Sequence, residues 1–238
     1  MKSVLNINFS KTPFAWLSLF VFGLLLSSCG GKEFKKSPVD NYIVEFSSKQ
    51  NFAIILEDMD LEGNFFKTYK HKYKVILEDE EGKPEESTSE WFEVGEDFFT
   101  KNENNLGMIL VYKKDGKLEK NAAPAGYQYV GDKKYGEWRT HNGSSFWAFY
   151  GQYMFMSHMF GFMNRPVYRS DYRTYRDNHY GRSGYYGPRT NGSSKYGTNS
   201  AATRKSRPDF FKRRASKSGW SSSRGRSGFG SRGSGFGK

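Results

Sequence analysis

Cys29 carries the only thiol in this chain of 238 residues. A thiolate is a nucleophile that can be alkylated or oxidised, and a sole cysteine can form no internal disulfide. A second candidate is soft-metal chemistry. Met154, Met156, His158, Met159 and Met163 fall within ten residues, and thioethers with imidazole suit Cu(I). Methionine also fills irregular cores, so a packing role competes with a metal role. A third candidate is hard-cation chemistry at Asp58, Asp60, Glu62 and Gly63. The acidic residue needed to close a calcium loop falls on Tyr69 instead, so the stretch reads as a hairpin turn at Glu62-Gly63-Asn64. The acidic run Asp79-Glu80-Glu81 with Glu85-Glu86 reads as a solvated loop. The four histidines His71, His141, His158 and His179 are scattered. No G-x-S-x-G, H-E-x-x-H, P-loop or zinc-cysteine spacing occurs. No enzyme activity and no cofactor is expected.

The stretch before Cys29 gives the thiol a setting. Lys2 and Lys11 make a basic start, and Phe14 to Leu26 is an uninterrupted run of 13 residues without charge. A spanning helix needs about 20 apolar residues. Residues 1–28 therefore read as an export signal. Leu26-Ser27-Ser28-Cys29 resembles the lipobox of bacterial lipoproteins. That resemblance implies a diacylglycerol on the Cys29 sulfur, cleavage just before it, and a mature chain held on a membrane by acyl chains such as palmitate. Two or more acyl chains anchor stably where one does not. Gly30 rather than Asp implies an outer-membrane destination by the enterobacterial sorting rule. Lys32-Glu33 resembles the signal that sends some Bacteroidetes lipoproteins to the cell surface. Residues 29–37 read as a lipidated tether.

The charge is divided. Residues 32–140 carry 17 basic and 22 acidic side chains, residues 141–164 carry none, and residues 165–238 carry 18 basic and 3 acidic. An acidic body is joined to a basic tail by an uncharged aromatic segment.

Residues 38–140 predict a small β-rich domain. Tyr42, Val44 and Phe46 alternate with Ile43 and Glu45, as in a strand. A strand is expected from Phe52 to Leu61. From Phe65 to Leu77, Tyr69, His71, Tyr73, Val75 and Leu77 share one face and Lys70, Lys72 and Lys74 the other, the period-two mark of a half-buried strand. Residues 78–90 read as a loop, Trp91, Phe92 and Val94 as a strand opening, and 96–104 as a short helix or loop. Met108 to Tyr112 reads as a strand, followed by an Asp115-Gly116 hairpin turn. Leu118, Tyr127, Tyr129 and Val130 continue the meander. About six strands predict a mainly β fold, an antiparallel sandwich or open barrel.

Residues 141–164 begin with a turn at Asn142-Gly143-Ser144-Ser145. They continue as a helix-like aromatic and methionine-rich segment without a polar face. It would pack on the body, lie in a membrane interface, or span a membrane. Beyond Arg165-Pro166, Val167 is the sole Val, Ile or Leu. With so little aliphatic surface to offset chain entropy, residues 165–238 are expected to be disordered. The alternation of Arg with Tyr, Phe and Gly resembles RGG-type segments, which bind nucleic acids. The candidate anion-binding residues are Arg169, Arg173, Arg176, Arg182, Arg204, Lys205, Arg207, Lys212, Arg213, Arg214, Arg224, Arg226 and Arg232. Behind an export signal, their partners would be anionic lipid, acidic polysaccharide or extracellular nucleic acid, in salt-sensitive contact. The whole reads as a cell-envelope lipoprotein of binding or scaffolding type. Copper handling by the Met/His cluster and nucleic-acid binding by the tail are the alternatives. The sequence does not identify the body's protein partner.

Overall fold

A computed structural model describes residues 37–63, 65–217 and 220. The leader, Cys29, the first residues of the tether, and Arg224, Arg226 and Arg232 lie outside the described residues.

The fold is mainly β, built on an antiparallel sheet that stays open. Its strands are β1 (Phe52–Glu62), β2 (Thr68–Glu78), β3 (Pro84–Val94), β4 (Met108–Lys114), β5 (Lys117–Glu119) and β6 (Ala123–Pro124). Their order is β3-β2-β1-β4-β5, with β6 also paired to β4. Asp115 and Gly116 both take positive φ (50° and 77°) in the β4–β5 turn, as a tight hairpin requires.

β1 shows why the sheet is a middle layer. Phe52 through Leu56 are all buried. Ala53 and Ile55 join one apolar cluster, while Phe52, Ile54 and Leu56 join another. Successive side chains point to opposite faces, so both faces of this strand are covered. β4 is split in the same way: Ile109 and Tyr112 enter the first cluster, Leu110 and Val111 the second. A register shift between Ile54 and Ile55 of β1 accompanies the change of phase opposite them. In β2, His71, Tyr73 and Val75 are buried and Lys70, Lys72 and Lys74 are half-buried, as the alternation predicts.

Three stretches differ from expectation. Tyr127, Tyr129 and Val130 do not continue the meander as a strand but lie buried in a run of turns after β6. Residues 42–46 are not a strand. Residues 42–45 belong to helix α1 (Pro38–Glu45) and Phe46 is its C-cap; the helix is started by Pro38 and capped by the Ser37 hydroxyl, which accepts from the Asp40 amide. Tyr42 stacks on Phe46 at 5.6 Å, the i,i+4 contact of a helix. The acidic stretch 78–90 is not one loop. Its turn is confined to 79–83, and Glu85 and Glu86 sit in β3, paired with Leu77 and Ile76. The sheet edge tolerates this acidic sequence because β3 faces water along most of its length. Of the short helix or loop expected at 96–104, the structure forms helix α2 (Glu96–Asn102).

The larger difference is the second layer. Residues 165–217, expected to be disordered with the rest of the tail, are folded. β7 (Gly136–His141) and β8 (Ser144–Phe149) form a hairpin whose turn is Asn142-Gly143. The aromatic segment thus enters as a strand, then makes a helical turn at Gly151–Tyr153 and helix α3 (Phe155–Met159). Trp147, Phe149, Tyr153, Met156, Phe160 and Phe162 are buried in the first cluster. Among the described residues no helix is long and apolar enough to cross a membrane. Helix α4 (Arg169–Thr174) runs on into a π-helical turn at Tyr175–His179. A short β9–β10 hairpin (Arg189–Thr190, Ser193–Ser194) follows. Helices α5 (Ala201–Ser206) and α6 (Pro208–Ser216) complete the described chain apart from Lys217 and Trp220.

Aromatic rings replace the missing aliphatics. Val167, Tyr175, Tyr185 and Tyr196 are buried in the first cluster, Phe210 and Trp220 in the second. A buried aromatic ring removes about 150–250 Å² from water, which makes up for the absence of Leu and Ile. The hydroxyls are accommodated in pairs. Tyr127 and Tyr196 lie 3.2 Å apart, Tyr112 and Tyr175 3.3 Å apart.

Candidate functional site

The cations of the C-terminal region divide into an inward set and an outward set. The inward set meets the acidic end of β1. Arg207 donates to the Glu57 backbone carbonyl and, at 2.9 Å, to its carboxylate. Arg213 Nη2 lies 2.8 and 2.7 Å from the two Asp58 carboxylate oxygens. Lys217 Nζ reaches Asp60 Oδ1 at 2.5 Å. Asp58 and Asp60, which head a calcium-like run in the sequence, are here partners for side chains more than 150 residues away. The residues that position these cations are apolar. Phe210 and Trp220 pack on each other at 5.5 Å, and Trp220 on Phe99 at 5.2 Å. They pin α6 to the sheet face on which α2 also lies. The signal in the sequence was the opposite net charge of the two regions, which a self-contained pairing satisfies.

Other cations lie over aromatic rings. The Arg176 guanidinium sits 4.0 Å over Tyr180, Arg169 5.9 Å over Trp138, Arg204 5.4 Å over Phe211 and Arg214 5.9 Å over Trp220. Arg182 donates to the Asp177 carbonyl. Lys212 lies 3.6 Å from Asp209, both largely exposed. Arg173 and Lys205 are exposed. The anion-binding candidates therefore do not form one strip. Arg207 and Arg213 are engaged by carboxylates. Arg169, Arg173, Arg176, Arg182, Arg204, Lys205 and Lys212 remain exposed.

A cleft of about 200 Å³ opens beside β1 and β2, lined among others by Glu57, Lys74, His158, Arg165, Thr203 and Arg207. Arg165 stands 5.5 Å over the Tyr196 ring. Arg207 is held by Glu57 and Lys74 by Glu86, at 3.1 Å. The cleft is smaller than the usual drug-sized pocket.

The methionine cluster does not share one environment. Met156 is fully buried in the first core, Met159 packs against it, and Met154 and Met163 are about half exposed. His158 is exposed at the cleft. Among the described residues no group of three His, Cys, Asp or Glu side chains is arranged to hold a metal.

Two further polar groups sit inside the fold. His71 is fully buried. Its Nδ1 lies 3.1 Å from the Tyr73 hydroxyl, its ring stacks 5.3 Å from Phe99, and its Nε2 has no hydrogen-bond partner. Burial lowers its pKa to about 3. Glu78 accepts from the Tyr135 hydroxyl at 3.0 Å and the Asn51 amide at 2.9 Å. Burial pushes the Glu78 carboxyl up, against the opposing pull of Tyr135 and Lys134.

No protein-family model, no curated protein and no solved structure matches this chain.

Proposed function

We propose that this chain is a cell-envelope lipoprotein of binding or scaffolding type, anchored through Cys29, whose exposed cations contact anionic envelope or extracellular polymers. The observation that carries the reading is Leu26-Ser27-Ser28-Cys29 directly after a 13-residue apolar run. The outer membrane is the favoured destination. The distribution of exposed arginine and lysine over 169–212 supports a diffuse, salt-sensitive contact rather than a single specific pocket.

The body and the polymer-binding region are one folded unit in this reading. Deleting residues 165–238 would remove Val167, Tyr175, Tyr185, Tyr196 and Phe210 from the two cores and so test folding, not binding. Charge reversal at exposed positions isolates the contact. Cys29→Ala is expected to release the protein from the membrane fraction without detergent. Arg173→Glu with Lys205→Glu is expected to weaken retention on vesicles rich in phosphatidylglycerol, by roughly tenfold or more at low salt, since each such charge is worth about 1 kcal/mol near an anionic surface. Detergent-dependent retention of the Cys29 variant would refute the anchor. Unchanged retention of the charge-reversed protein would refute the polymer contact.

A further inference from the structure

The β1–β2 hairpin ends in Glu62-Gly63-Asn64-Phe65-Phe66-Lys67. Phe65 and Phe66 are 97% and 92% exposed, against 64% or less for the other exposed large apolar residues described. Single exposed apolar side chains are ordinary. Two consecutive phenyl rings at the tip of a hairpin are not, because turns favour Gly, Asn, Asp and Ser for conformational reasons that phenylalanine does not share. Gly63 at φ 81° already supplies the positive φ needed there. The two rings therefore serve something other than the turn, and among the described residues no core receives them.

A protruding tip suits one kind of occupant. A stable protein–protein interface removes about 800 Å² from each partner, far more than two rings offer. Entry into the interfacial layer of a bilayer requires no complementary surface, and aromatic rings are favoured there. Behind the rings, Lys70 is held by Glu62 at 2.6 Å, so that pair brings no uncompensated charge toward the apolar layer. The chain length adds a constraint that rests on the Cys29 reading. From Cys29 to Ser37 there are eight peptide steps, which span at most about 28 Å. A tether that short keeps the folded body beside the membrane, where the high effective concentration makes a weak second contact count.

We infer that the Phe65–Phe66 tip inserts into the interfacial layer of the bilayer to which the chain is tethered. The insertion makes a second, non-covalent membrane contact and orients the body relative to the anchor.

The sole native cysteine gives a clean test. When acylated, Cys29 does not react with a maleimide, so Phe66→Cys in the full chain offers one free thiol. Glu85→Cys, exposed in β3 near the opposite end of the β1–β2 hairpin, is the control. Each acylated variant is labelled with an environment-sensitive fluorophore. It is then reconstituted in vesicles of phosphatidylethanolamine and phosphatidylglycerol, with or without lipids carrying a shallow quencher. The tip label is expected to shift to shorter wavelength and to be quenched severalfold more than the control. Phe65→Ser with Phe66→Ser is expected to speed transfer of the acylated protein between vesicles by about tenfold or more. A tip label as solvated and unquenched as the control overturns the inference while the anchor stands. A blue shift that depends on protein concentration and ignores the quencher also overturns it, because a second copy then covers the rings. Labelling of Cys29 in the unsubstituted chain overturns the anchor reading itself and removes the tether on which the inference rests.

Discussion

Arg213 and Asp58 stand 155 positions apart in the sequence and meet with one guanidinium nitrogen within 2.8 Å of both carboxylate oxygens. Arg207 with Glu57 and Lys217 with Asp60 flank this contact. The three pairs fasten the end of the described chain to its first strand. Each pair is part-exposed, so no single one is worth much. Their effect comes from acting together over a shared apolar seat at Phe210 and Trp220.

Coupling within the ladder is therefore testable by a double-mutant cycle. Asp58→Ala and Arg213→Ala are each expected to lower stability by about 1 kcal/mol, and the double variant to lose clearly less than the sum. Urea denaturation at low salt measures the cycle. Because these charges are partly screened, the coupling is expected to shrink at 1 M NaCl. A coupling of zero at low salt would mean that the pairs merely decorate the seat.

The seat itself is expected to matter more. Phe210 is buried, and its ring lies edge-on to Trp220. Phe210→Ala removes a large buried ring and leaves a cavity, a change that typically costs about 3–5 kcal/mol. The expected outcome is a shift of the urea midpoint well beyond that of Arg213→Ala. Protease sensitivity is expected to rise in residues 200–217 before the sheet opens. Simultaneous loss of both would show that the C-terminal helices and the sheet unfold as one unit.

The sheet was legible because β1, β2 and β4 carry alternation or compact β-branched runs, and because Asp115-Gly116 marks a tight turn. The helix at 38–45 was not, since Tyr42, Val44 and Phe46 fit period two, whereas on the helix only Tyr42 and Phe46 share a face and Val44 is exposed, and only Ser37-Pro38 signalled a helix start. The second layer was missed for a reason of chemistry. Counting Val, Ile and Leu understates what a chain can bury when Tyr127, Tyr175, Tyr185 and Tyr196 supply both area and mutual contacts. The ion-pair ladder follows from that fold and could not be read before it, since nothing local links Asp58 to Arg213. Phe65-Phe66 was hidden inside a strand expected to begin at Phe65, where the structure begins it at Thr68.

His71 gives the fold an acid limit. In the unfolded chain its pKa is about 6.5, whereas burial holds it near 3 in the native state. Between those values the unfolded state binds the extra proton, so stability rises with pH across this window and is lost as pH falls through it. From pH 7 to pH 4 this single group is expected to remove about 3 kcal/mol. His71→Phe keeps a ring against Phe99 and Tyr73 and has no proton to gain. Urea midpoints at pH 7, 5.5 and 4 are expected to fall distinctly less in the variant than in the parent chain. Equal slopes would show that His71 does not set the acid limit.

The tyrosine layer sets the alkaline limit with the opposite dependence. Burial raises the pKa of Tyr175 to about 12, and burial together with Glu96 does the same for Tyr69. Burial pushes Tyr127, Tyr129 and Tyr112 higher still, assisted at Tyr127 and Tyr112 by their paired hydroxyls. An unfolded chain gives up these protons near pH 10. Stability from this layer is thus complete below that pH and declines as pH rises above it. A spectrophotometric titration of the chain's 16 tyrosines reads this layer as a late group. That group should ionise only together with loss of near-UV circular dichroism. Tyr196→Phe leaves the Tyr127 hydroxyl without its 3.2 Å partner. This is expected to cost about 1–3 kcal/mol and to bring the late step to lower pH. Tyr127→Phe added to it should recover part of that loss, because a buried pair replaced on both sides leaves no orphaned hydroxyl.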